Sequence, residues 1–62
     1  MPLIDTPNLA DHDDFYEALL AAHNGRTPDE SAAINAQLIK ILANHIGDSQ
    51  VLREALALAA KR

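Results

Sequence analysis

The chain has no cysteine and no tryptophan, two glycines, and only two aromatic residues, Phe15 and Tyr16. Each shortage excludes something. Without cysteine there is no disulfide framework and no thiolate metal site. The lack also fits a reducing compartment. With so few aromatic and β-branched residues, strands have little to build on, and the abundant Ala and Leu are the strongest helix formers. Basic residues are scarce too. Five Lys and Arg stand against nine Asp and Glu, for a formal charge of −4. A chain so charged is a poor ligand for nucleic acid or anionic membranes, which select clustered Lys and Arg.

Long apolar runs are missing as well. No segment reaches the roughly 20 residues of a membrane-spanning helix. The segment Met1-Pro2-Leu3-Ile4-Asp5 carries no basic leader and no apolar stretch of signal-peptide type, so a soluble, cytoplasmic chain is expected. At 62 residues there is room for one domain. A compact domain of that size buries only about 60% of its unfolded surface, so its core is marginal. Such scaffolds depend on a metal, very good helix packing or a partner chain.

What is there is helix punctuation. Residues 1–10, MPLIDTPNLA, hold two prolines and no helical period, and read as an extended arm. Its apolar residues Leu3, Ile4 and Leu9 either fold back on the domain or dock on a partner. A single helical domain is expected over 11–62. Its first helix, about 12–23, has Asp11 as N-cap with Asp13 and Asp14 in the first turn. Phe15, Leu19 and Ala22 form its apolar stripe, flanked by Tyr16, Leu20 and His23. Asn24-Gly25 ends it, because glycine accepts the left-handed conformation of a helix stop.

The stretch Thr27-Pro28-Asp29-Glu30 then supplies a complete helix start. Thr27 is the N-cap, Pro28 fills the first helical position, and Glu30 closes a capping box. So short a link predicts an antiparallel helical hairpin. The second helix, about 28–46, carries Ile34, Leu38, Ile39, Ile41, Leu42 and Ile46. With its alanines these cover roughly 220° of the helix, more than one buried face requires. Gly47 stops it. Asp48 or Ser49 caps a third helix, about 49–61, whose apolar stripe includes Val51, Leu52, Ala55 and Leu56. The predicted fold is all-α: a three-helix unit, hairpin plus C-terminal helix, with an extended arm, assembling into a helical bundle. Phe15, Leu19, Leu52 and Leu56 are the expected intrachain core.

No catalytic constellation emerges. His12, His23 and His45 share no i,i+3 or i,i+4 spacing, so no helix presents two as a metal pair. His23 and His45 fall in last turns, where imidazole favours the helix dipole. Asp11, Asp13 and Asp14 lack the alternating ligands, glycine bend and bidentate Glu of a calcium loop. The acids gather early in the chain, while Arg53, Lys61 and Arg62 outnumber Glu54 late. That suits the helix dipoles, or alternatively steers a partner. Asn35 and His45 project within the apolar arc of the second helix. A buried polar group must be hydrogen-bonded, so Asn35 either closes a local bond or sets register at a helix interface.

The run from Asp13 to Leu56 also resembles a known family. The motifs are Asp14-Phe15-Tyr16, Ala21-Ala22-His23, Ser31-Ala32-Ala33-Ile34-Asn35 and, most specifically, Leu42-Ala43-Asn44-His45-Ile46-Gly47-Asp48. They span about 70% of the chain. The family consists of very small bacterial proteins with a domain of unknown function, often encoded near FAD-dependent aromatic hydroxylases. The resemblance implies an accessory role beside such an enzyme and carries over no catalytic residue.

These observations predict a non-enzymatic interaction module without cofactor or metal. It self-associates, as a dimer, or serves as a subunit of a larger protein, with no nucleic acid and no membrane as partner. The expected interface is Ile34, Asn35, Leu38, Ile41, Leu42 and His45, and the expected caps are Asp11, Thr27, Glu30 and Asp48. The alternative is a small-molecule or metal site built from His45, Asn44 and His23 at an oligomer interface. A nucleic-acid regulator is weaker, because the third helix offers only Arg53, Lys61 and Arg62.

Overall fold

The computed structural model describes residues 2–61. Met1 and Arg62, the latter part of the expected basic C-terminus, lie outside the described residues. Three helices occur among them and no strand: α1 (His12–His23), α2 (Pro28–Ile46) and α3 (Ser49–Ala60). The all-α, three-helix expectation is met.

Local chemistry sets the helix ends. At α2 the capping box is closed in both directions. The Glu30 N–H donates to Thr27 Oγ1 at 3.2 Å, and the Thr27 N–H donates to Glu30 Oε1 at 2.9 Å. Two otherwise orphaned helix-start donors are thereby satisfied. At α3 it is Asp48, not Ser49, that caps. Its Oδ1 accepts from Gln50 N–H at 3.0 Å and Val51 N–H at 3.2 Å. Gly47 ends α2 at φ 68°, its N–H donating to the Ala43 carbonyl at 2.9 Å.

Asp11 takes the expected place without the expected bond. It occupies the N-cap position of α1 but closes no side-chain hydrogen bond. Its backbone explains this. Thr27 and Asp48 hold extended ψ values of 162° and 106°, which aim a short side chain back at the first helical turn. Asp11 sits at ψ 44°, outside the β-region geometry a capping residue uses.

Tertiary packing departs further. Contact between the helices is sparse among the described residues. The expected core of Phe15, Leu19, Leu52 and Leu56 does not form. Leu19 and Leu52 are half-buried, but Phe15 is 47% and Leu56 68% exposed. Among the described residues the buried apolar side chain is Val51, at 5%. The radius of gyration is 13.2 Å, whereas a compact chain of this length has about 10.6 Å. The accessible surface is 5572 Å², against roughly 3,900 Å² for a compact monomer of this mass. The hairpin link is short, yet a short link only brings helix ends together. Few large apolar side chains are buried between the helices, so contact along them stays sparse.

The arm does meet the domain at one point. The Leu3 N–H donates to Glu54 Oε2 of α3 at 3.4 Å, and Leu3 is half-buried, while Ile4 and Leu9 stay exposed.

Candidate functional site

The wide apolar arc of α2 resolves into two faces. Ile34, Leu38 and Ile41 lie within about 60° of one another on the helix wheel, as do Ile39, Leu42 and Ile46, and the two sets are centred roughly 110° apart. The first set, with Ala33 and Gln37, lines a shallow concavity of about 400 Å³ on α2 alone. The second lines a groove of about 430 Å³ between α2 and α3. Ile39, Leu42, Ala43 and Ile46 form one wall, and Leu52, Ala55, Leu56 and Ala59 the other. Every residue of that lining is aliphatic. The groove can take up apolar surface, and it offers nothing that would polarise a bond.

Of the six expected interface residues, Ile34, Leu38 and Ile41 line the concavity on α2 and Leu42 lines the α2–α3 groove. Ile34 and Leu38 are half-buried, and Ile41, on their face, is 63% exposed. Leu42 belongs to the other face, in the groove. Asn35 and His45 are exposed. Ile39, Ile46 and Leu56 line the groove and were not among the expected interface residues. The wheel angles of Ile39 and Ile46 beside Leu42 were the available signal. For Leu56 there was none, because its stripe on α3 reads equally well as intrachain core.

The polar residues of α1 and α2 meet in one place. His23 Nε2 lies 3.1 Å from Asn35 Oδ1. The carboxamide oxygen accepts, so the ring donates from Nε2. Asn35 thus has neither a strictly local partner nor a free side chain. It joins the end of α1 to a point two turns into α2. His23, read as a helix-dipole residue, sits in the last turn of α1 and also makes this bond.

His23, Asn44 and His45 are not brought together within the chain. His23 is fixed at Asn35, and His45 stands ten residues further along α2, a rise of about 15 Å. His12 contacts its neighbour Asp13, Nδ1 to Oδ1 at 3.1 Å, at the exposed start of α1. Among the described residues no group of three His, Cys, Asp or Glu is arranged to hold a metal ion. No helix among them is long and apolar enough to cross a membrane.

Fold and surface together define a class: a very small all-α protein with three helices, well-built helix ends and an open aliphatic groove. The chain belongs to the family described as "Protein of unknown function (DUF2783)", which matches residues 3–61. The resemblance carried by the Leu42–Asp48 motif is borne out over nearly the whole chain. No curated protein and no solved structure matches it.

Proposed function

We propose that the protein is a non-enzymatic interaction module of the cytoplasm that completes its hydrophobic core by association. It joins copies of itself into a helical bundle, or serves as an accessory subunit of a larger enzyme. The family resemblance makes a flavoprotein aromatic hydroxylase the enzyme of choice for the second role.

One observation carries this reading: a folded chain with a single buried apolar side chain among its described residues and large aliphatic and aromatic side chains exposed on all three helices. The surface left over relative to a compact monomer is roughly 1,700 Å². Part of that surplus is the aliphatic lining of α2 and α3, which a partner chain can cover.

The test is the mass of the purified protein by light scattering, beside the variant Ile41→Lys. Ile41 is largely exposed in the single chain, so lysine there leaves the internal contacts intact. The expected result is an assembly for the wild type, weakened by the substitution, with helix content by circular dichroism unchanged. Capture of a hydroxylase from the native host, lost in the same variant, selects the accessory role. A well-folded monomer that captures nothing overturns the reading. An Ile41→Lys variant that assembles as the wild type does removes Ile41 from the interface.

A further inference from the structure

We infer that a second copy of this chain occupies the α2–α3 groove, and that it does so with its α1. The inference deepens the association reading and rests on it.

The two surfaces are matched in kind. The groove is aliphatic on both walls and empty of any α1 residue. The α1 helix is amphipathic, and Phe15, Tyr16 and Leu20 on its apolar side are exposed. An amphipathic helix seated by its apolar stripe is the standard occupant of such a groove. Their lengths agree as well. The stripe runs from Phe15 to Ala22, one wall from Ile39 to Ile46, and the other from Leu52 to Ala59. Each spans eight residues, a rise of about 10.5 Å over seven steps.

Symmetry and area close the argument. Each copy carries one such helix and one such groove, so a two-fold axis fills both grooves and leaves no open end. Two chains, each with roughly 1,700 Å² beyond a compact monomer's surface, could hide about 3,400 Å² between them, inside the 2,000–5,000 Å² of obligate homodimers.

The experiment uses the full chain at NMR concentration, as a 1:1 mixture of isotope-labelled and unlabelled copies. Phe15 and Tyr16 are the chain's one Phe and one Tyr, so their ring protons are unambiguous. The expected result is interchain NOEs from these rings to methyls of Leu42, Ile46 and Leu56. Replacing Leu56, which is exposed in the single chain, by Lys should raise the dimer dissociation constant about 30-fold or more. A dimer whose interchain NOEs join α2 to α2, with none from the rings, overturns this inference and leaves the association reading standing. Ring NOEs to the same methyls found only within one chain overturn it too, because α1 then closes its own groove. A folded monomer with the rings still solvated overturns this inference, and leaves the association reading only its accessory role.

Discussion

His23 at the end of α1 and Asn35, two turns into α2, are joined by a side-chain hydrogen bond of 3.1 Å. It spans the link at residues 24–27 and is the one side-chain hydrogen bond between α1 and α2 among the described residues. Where contact between helices is otherwise sparse, the bond is a specific tie between α1 and α2. Deleting it should therefore matter more to geometry than to stability. Replacing either residue by Ala should cost about 0.5–1.5 kcal/mol. A double-mutant cycle by chemical denaturation checks this: the two losses should fail to add, with the double variant close to either single one. Full additivity would mean the bond is not made in solution.

The helix starts make a sharper comparison. Thr27→Ala removes the acceptor for Glu30 N–H, and Asp48→Ala removes the acceptor for both Gln50 N–H and Val51 N–H. Each should lower stability by about 1–2 kcal/mol. Asp11→Ala should cost markedly less, since Asp11 closes no cap bond. Thermal melts of the three variants, side by side, give the order. An Asp11 variant as damaged as the other two would contradict the observed cap geometry.

Gly47 tests backbone strain separately from packing. It sits at φ 68°, and a Cβ built there meets its nearest atom, the Asn44 carbonyl oxygen, at 3.7 Å, an ordinary contact. The cost of Gly47→Ala is then conformational, about 1–2 kcal/mol. Gly47→Asn should cost less, because asparagine tolerates the left-handed region. Equal losses for both variants, measured by denaturation, would point to crowding instead.

If association completes the core, stability is linked to concentration by mass action. The thermal midpoint of the wild type should rise by several degrees for each tenfold increase in protein over a hundredfold range. A midpoint indifferent to concentration would describe a self-sufficient monomer.

The helix ends were legible because their causes are local. Thr27, Pro28 and Glu30 lie within four residues, and the bonds they make are dictated by that spacing. Asp48 and Gly47 act over equally short distances. Asp11 holds the N-cap position its residue type suggested, but its missing cap bond was not legible, because residue type does not fix backbone conformation. The apolar surface was half legible. The helical wheel of α2 separates Ile34, Leu38 and Ile41 from Ile39, Leu42 and Ile46, yet only coordinates set the latter beside Leu52 and Leu56 of α3. The His23–Asn35 bond was out of reach, because nothing in the spacing of residues 23 and 35 says that two helices cross there.

The chain alone thus determined its helices, their ends and its membership of a family, all consequences of short-range hydrogen bonding and residue pattern. Tertiary structure decided which apolar stripes face one another and which remain open. Burial depends on how helices are placed in space, and amphipathic stripes look the same whether their own chain covers them or another does.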